Sequence, residues 1–167
     1  MLMVEIDTNA ILVEPIKNCT YTELTRAYHA MMMRLNHAVI IPQNHILDNE
    51  VSNAMKTIIH DKYKMKLELV PPGCHSCNAA EVDIRNFKAN LLSVLGCTAD
   101  RLSPTLWDRL LLQSEVTINL LRQSNARPNV SAYAHFSGPF DYNKMPLAPM
   151  GCEAQVNENT YKRGTWS

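Results

Sequence analysis

Two carboxylates in the sequence stand where a metal ion could be held. Asp48 follows the apolar step Ile46-Leu47 at the end of a strand-like segment, and Glu81 lies 33 positions later, early in a long helical pattern. Neighbouring strands of one sheet would bring the two acids together, and paired carboxylates hold hard cations such as Mg²⁺. Two such ions would clamp the attacking and leaving oxygens of a phosphoryl transfer. The structural alternative is a strand-end acid and an acid favoured by a helix dipole.

Two basic residues share a helix face with Glu81. Arg85 and Lys88 follow it by four and seven positions, which is one side of an α-helix. Cations one and two turns from a metal-binding carboxylate suit a phosphodiester lying across the helix. The alternative is a solvated face with a Glu–Arg pair worth about 0.3 kcal/mol, and spacing alone favours that alternative.

The pattern Cys74-x-x-Cys77, with His75 inside it, suggests zinc. A structural zinc site needs four ligands, which usually come as two paired motifs. The other three cysteines are isolated in the sequence, so we do not expect a zinc site. The glycine-rich nucleotide-binding patterns are also absent, which argues against a nucleotide-cofactor enzyme.

The composition indicates one globular domain with a sizeable core. The chain has 167 residues, 46% of them hydrophobic, and 16 basic residues balance 16 acidic ones. No global basic field therefore points to nucleic acid, although net charge does not determine how the charges are distributed. The five cysteines and the lack of a leader predict an intracellular protein with reduced thiols. No apolar run reaches the ~18 residues of a membrane span, so we expect no membrane partner.

The elements that position these groups alternate between strands and helices. A turn at residues 7–9 separates the first two strands, and Thr20 with Glu23 forms a capping-box pattern before the first helix. Pro104 follows Ser103 as expected at the start of a helix. Strands are predicted over residues 1–6 and 10–16, up to Asp48 and over 64–70, and helices over 24–35, 51–63, 77–95 and 104–123.

This order predicts an α/β fold with a mixed sheet. Prolines and glycines after residue 125 indicate an irregular extension, with a small β-ribbon predicted over residues 153–166.

Three segments resemble the catalytic core of a retroelement integrase, most closely the copia type. They are HILDNEVSNAM (45–55), LELVPP (67–72) and CNAAEVDIRNFKANLL (77–92). The family motif is an Asp on the first strand, an Asp in an Asp-Asn-Gly context and a Glu further along. Asp48 matches the second acid, Glu81 the third, and Asn78 the polar residue usual three positions before the Glu.

The resemblance implies a ribonuclease-H-like fold, a mixed sheet flanked by helices with its first strand missing. It implies a partial catalytic core over residues 1–125 and a Pro-rich C-terminal extension over 126–167. It further implies Mg²⁺ or Mn²⁺ held by Asp48 and Glu81, and DNA placed by Asn78, Arg85 and Lys88. The implied activity is DNA 3′-end processing and strand transfer by a nuclear protein that forms homo-oligomers.

The sequence departs from the family pattern at several positions. Glu50 rather than Gly follows Asn49, and Ala79 stands where the family often has Gly. The first catalytic Asp has no counterpart, because residues 1–16 match the hairpin that follows it in the family. Asp7 lies too close to Asp48 for the usual spacing between the first two acids, so it is a poor replacement. The open alternatives are a non-catalytic nucleic-acid-binding or self-association module, and a plain α/β interaction module without a site. An exposed strand edge predicts a dimeric or aggregation-prone chain.

Overall fold

The computed structural model describes residues 1–47, 52–71, 79–98 and 102–153. These residues form a mixed α/β protein, as the order of predicted elements indicated. The elements are β1 (Leu2–Glu5), β2 (Ala10–Val13), α1 (Tyr21–His37), β3 (Asn44–Leu47), α2 (Asn53–Thr57), a π-helix (Ile58–Lys62), β4 (Lys66–Leu69), α3 (Ala79–Gly96), a 3₁₀ turn (Pro104–Leu106), α4 (Trp107–Leu121) and α5 (Ala132–Ser137).

Strands β1 and β2 form an antiparallel hairpin, with Leu2 opposite Val13 and Glu5 opposite Ala10. The turn between them is closed by the Glu5 carboxylate, which accepts hydrogen bonds from the backbone N–H (2.6 Å) and the hydroxyl of Thr8. The hairpin and its turn confirm the prediction for this segment.

Strands β3 and β4 form a parallel pair, in which Asn44 lies opposite Lys66 and Leu47 opposite Leu69. Helix α2 and the π-helix make the crossover that a parallel pair requires. The strands of the described residues therefore form two separate two-stranded sheets. The sequence predicted a single mixed sheet, and these residues do not form one. No described strand joins the β1–β2 hairpin to the β3–β4 pair.

Helix α1 packs over both sheets. Its apolar residues recur at helical spacing and are buried, among them Tyr28, Met31 and Leu35. Hairpin residues such as Leu12 and partly buried strand residues such as Leu47 join the same core cluster. The two sheets are thus held under one helix by a shared hydrophobic core.

The other face of the hairpin packs on α3 and α4. Ile11 and Val13 form a second core cluster with Phe87 from α3 and with Leu111 and Ile118 from α4. The hairpin is therefore covered by helices on both faces, which explains why all four residues of β2 are buried.

Two local predictions need correction. The Thr20 side chain makes no capping bond, because its hydroxyl hydrogen-bonds the Asn18 side chain at 2.6 Å, while the Glu23 carboxylate pairs with Arg26. The segment after residue 125 contains helix α5, where we expected irregular structure. Ser131 caps this helix by accepting a hydrogen bond from the Ala134 N–H at 3.1 Å.

Candidate metal and nucleic-acid site

Two of the predicted site residues follow the carboxyl ends of β3 and β4 in the sequence: Asp48 comes after β3, and Asn78 comes after β4. The pair is parallel, so both strands end at the same edge, with Leu47 opposite Leu69. Asp48 follows Leu47 directly in the sequence, but it lies outside the described residues, as does Asn78. Ligands in open α/β sheets gather beyond the carboxyl ends of the strands. The chain order is thus compatible with a site at this edge.

Glu81 lies in the first turn of α3, the helix that follows β4. A carboxylate at this position is stabilised by the helix dipole. Arg85 and Lys88 are also in α3, and all three residues are exposed to solvent. Asp83 and Phe87 on the same helix are buried. The predicted helical face therefore exists as a solvent-facing surface, whereas its contact with DNA remains a prediction.

Within the described parts of the chain, no group of three His, Cys, Asp or Glu side chains could hold a metal ion. Asp48 lies outside these parts of the chain, so its pairing with Glu81 stays a prediction. Asp7 lines a shallow cavity of about 340 Å³ with Arg127 and His135, and no residue of α3 lines it. The structure thus offers no support for Asp7 as a partner of Glu81. Cys74 and Cys77 also lie outside the described residues.

Two polar residues of α4 close the outer edge of β2. The Asn119 side chain accepts a hydrogen bond from the Ile11 N–H at 2.8 Å and donates one to the Ile11 carbonyl at 2.7 Å. The Glu115 carboxylate accepts from the Val13 N–H at 2.8 Å. These bonds satisfy backbone groups that an edge strand would otherwise leave open to pairing.

Glu115 is also the partner of Arg34 on α1. The Arg34 guanidinium hydrogen-bonds both carboxylate oxygens, and the Glu115 side chain is only 8% exposed. Burial would lower the pKa of Arg34, but the hydrogen bonds and negative charge of Glu115 outweigh it and raise that pKa. The pair links α1 to α4 across the end of β2.

A second polar network orients α3. Arg122, just after α4, donates to the buried Asp83 carboxylate of α3 and to the side chain and carbonyl of Asn9 in the hairpin turn. Asp83 is two residues from Glu81, so this anchor helps to determine which face of α3 meets solvent. Sequence reasoning missed these residues, although Glu115, Asn119 and Arg122 recur at helical spacing within an apolar pattern.

An aromatic cluster supports β3 just before Asp48. The Tyr28 hydroxyl and His45 Nδ1 lie 3.0 Å apart, and the rings of Tyr28 and Tyr63 meet edge to face. Burial raises the pKa of Tyr28, so the phenol stays protonated, and it donates to His45 Nδ1 or accepts from it according to the imidazole tautomer. Burial lowers the pKa of His45, which favours the neutral imidazole that can accept this bond.

Comparison with family models and with curated proteins gives no match for this sequence. No helix among the described residues is both long and apolar enough to span a membrane.

Proposed function

We propose that the chain is an integrase-core-like domain of a copia-type retroelement, with a ribonuclease-H-like fold that binds DNA. The observation that carries the proposal is the parallel β3–β4 pair, with Asp48 next after β3 and Glu81 in the first turn of the helix after β4. This arrangement agrees with the order of acids in the family motif. The exposure of Arg85 and Lys88 on the same helix also supports the proposal.

The donor set suits a hard cation. Asp48 and Glu81 would hold Mg²⁺ or Mn²⁺ through carboxylate oxygens, which such ions prefer. When bound, the metal would supply charge stabilisation for in-line attack by water or a 3′-hydroxyl at phosphorus. Arg85 and Lys88 would bind DNA phosphates along α3, and Asn78 would contact the DNA next to Glu81.

Turnover by residues 1–167 alone is expected to be weak or absent. The first acid of the family motif has no counterpart among these residues, and loss of one metal ligand costs orders of magnitude in rate. DNA binding does not depend on that acid, because phosphate contacts dominate affinity for DNA. We therefore propose DNA binding as the property that the chain retains, with phosphoryl transfer as the chemistry of its family.

A Mn²⁺-dependent disintegration assay on branched DNA tests this function, because it probes the core chemistry directly. The wild-type chain is compared with Asp48→Asn and Glu81→Gln, and DNA binding is measured in parallel by fluorescence anisotropy. Activity that both substitutions abolish would establish a catalytic core, and binding without activity would establish a non-catalytic one. Absence of both binding and activity in the folded wild-type chain would refute the proposal.

Self-association is the second candidate function, and the edge of β1 favours it. Glu14 and Met1 exchange hydrogen bonds at the end of the hairpin, so by alternation the backbone groups of Leu2 and Val4 point away from β2. No described residue hydrogen-bonds these groups, whereas α4 side chains cover the outer edge of β2. A second copy could pair here and extend the sheet.

Light scattering tests this candidate, with Val4→Pro as the informative variant. Proline at this position removes an outward-facing N–H without breaking a bond to β2. A wild-type dimer that Val4→Pro converts to monomer would support pairing through β1. A monodisperse wild-type monomer would rule it out.

A further inference from the structure

Residues 56–66 carry an uneven share of the positive charge of this protein. The stretch KTIIHDKYKMK holds four lysines and one histidine against a single acid, Asp61, in a chain whose total charge is zero. His60 Nδ1 lies 2.8 Å from the Asp61 carboxylate, so that acid is engaged within the stretch. The segment runs from the end of α2 through the π-helix to the start of β4.

Three of the lysines are alike in their exposure and in having no ion-pair partner among the described residues. Lys62, Lys64 and Lys66 are exposed, and no described carboxylate forms an ion pair with any of them. Glu68, two positions beyond Lys66 on β4, is the nearest acid along the strand and is also exposed. We call Lys62, Lys64 and Lys66 the lysine ridge.

The residues between the lysines anchor the ridge to the core. Met65 is 2% exposed, and Tyr63 packs against the same core cluster. The Tyr63 hydroxyl also hydrogen-bonds His29 Nδ1 at 2.6 Å. The two residues between the lysines thus pack inward, while the three lysines are exposed.

The backbone at the centre of the ridge is strained. Lys64 has φ of +55°, a left-handed conformation in which glycine is usual, and the Met65 N–H bonds back to the Ile59 carbonyl at 3.3 Å. The π-helix just before it is a rare element that is frequent at functional sites. The left-handed conformation of Lys64 therefore coincides with an exposed, cationic part of the surface.

We propose that the lysine ridge binds the phosphate backbone of a nucleic acid. Three exposed lysines within five residues, none of them in an ion pair with a described carboxylate, make a local positive patch that suits phosphate groups. The Lys62 ammonium also lies 5.5 Å from the centre of the Tyr63 ring. Lys66 lies at the amino end of the parallel pair and Leu69 at its carboxyl end, about 10 Å apart at 3.3 Å per residue. The ridge is thus a second phosphate-binding surface beyond Arg85 and Lys88. The proposal rests on the proposed function only for the choice of DNA as the polymer.

A membrane surface fits the ridge less well. Binding to lipid needs apolar side chains directed outward among the cations. Here the apolar residues that alternate with the lysines, Tyr63 and Met65, are turned into the core. Binding to anionic vesicles with no affinity for DNA would therefore overturn the proposal.

The test is the salt dependence of binding to a fluorescent DNA duplex. Each phosphate contact contributes a slope of about −0.9 in log K against log salt, so three contacts contribute about −2.7. Between 50 and 200 mM salt the affinity advantage of wild type over the Lys62→Gln/Lys64→Gln/Lys66→Gln variant should shrink about 40-fold. A control with the same charge change, Lys17→Gln/Arg109→Gln/Lys144→Gln, removes exposed cations elsewhere and should keep nearly the full wild-type slope.

Two further variants separate binding from folding. Replacement of all three ridge lysines by arginine should preserve the slope. Lys64→Gly should raise Tm, because glycine relieves the left-handed strain, while it lowers the slope by about one unit. Equal losses in the ridge and control variants, or no loss in the ridge variant, would overturn the proposal. Asp48→Asn and Glu81→Gln should leave the contribution of the ridge to the salt slope unchanged. A failure of the proposed metal chemistry can therefore be told apart from a failure of DNA binding by the ridge.

Discussion

The partly buried ion pair between Glu115 and Arg34 makes a sharp prediction about stability. In the Glu115→Ala variant the Val13 N–H loses its acceptor and the Arg34 guanidinium loses its partner. An unsatisfied buried N–H costs about 1–3 kcal/mol, and removal of one partner of a buried pair costs about 3–5 kcal/mol. The Arg34 side chain is 34% exposed, so water offsets part of this cost.

The two costs overlap, and we expect Glu115→Ala to lower the free energy of unfolding by about 3–4 kcal/mol. For a chain of this size the loss corresponds to roughly 6–16 °C in Tm. Glu115→Gln keeps an oxygen acceptor for Val13, so it should cost less than Glu115→Ala. The double variant Arg34→Met/Glu115→Leu should be more stable than Glu115→Ala, because it leaves no unpaired charge.

Urea unfolding followed by far-ultraviolet circular dichroism measures these differences. A loss below about 1 kcal/mol for Glu115→Ala would refute the assigned role of the carboxylate, since even the orphaned N–H should cost that much. A double variant as unstable as the sum of its single changes would show that the two residues do not act as a pair.

Two further predictions concern strain and pH. Val39→Gly should raise the free energy of unfolding by about 0.5–1 kcal/mol in urea unfolding. Val39 has φ of +60° and is 84% exposed, so glycine relieves strain without loss of burial. A destabilised variant would contradict this. Because burial lowers the pKa of His45, the unfolded chain binds the proton more readily. The contribution of neutral His45 to the free energy of unfolding should therefore be fully present above about pH 6.5. It should be lost as the pH falls from there towards the lowered pKa of the folded state. His45→Asn should flatten this dependence in thermal melts, and an unchanged pH dependence in that variant would contradict the assignment.

The elements were predictable where a single periodicity dominated. The alternating and apolar runs predicted the hairpin and β4. The recurrence of Tyr28, Met31 and Leu35 predicted α1 and its buried face. Ser103 with Pro104 marked the start of the helical segment that includes α4, and the Ser103 side chain accepts from the Thr105 N–H. These features depend on local sequence, which is why they can be read without tertiary information.

The long-range arrangement was not predictable in the same way. The closure of the β2 edge by Glu115 and Asn119 joins residues more than 100 positions apart, and nothing in the local pattern names their backbone partners. The capping-box pattern at Thr20 failed because Asn18 and Arg26 offered competing hydrogen bonds. Helix α5 is short, and the surrounding prolines and glycines obscured its Ser131 cap.

In the candidate site, too, the local features were predictable and the long-range arrangement was not. Spacing correctly placed Glu81 near the start of a helix and Arg85 and Lys88 on an exposed face. The lysine ridge had no comparable signal, because the left-handed conformation of Lys64 occurs just after the π-helix and is not marked by a glycine in the sequence. The pairing of Asp48 with Glu81 rests on the resemblance and on the parallel strands.

The most direct test of the central claim is Mn²⁺ binding to the full chain, followed by the electron paramagnetic resonance signal of the free ion. If Asp48 and Glu81 form one site, Asp48→Asn and Glu81→Gln should each weaken Mn²⁺ binding by about tenfold or more. Arg85→Gln should leave the site intact, because Arg85 is assigned to DNA. Equal Mn²⁺ affinity in the wild-type chain and in both acid variants would show that the two carboxylates do not hold a common metal.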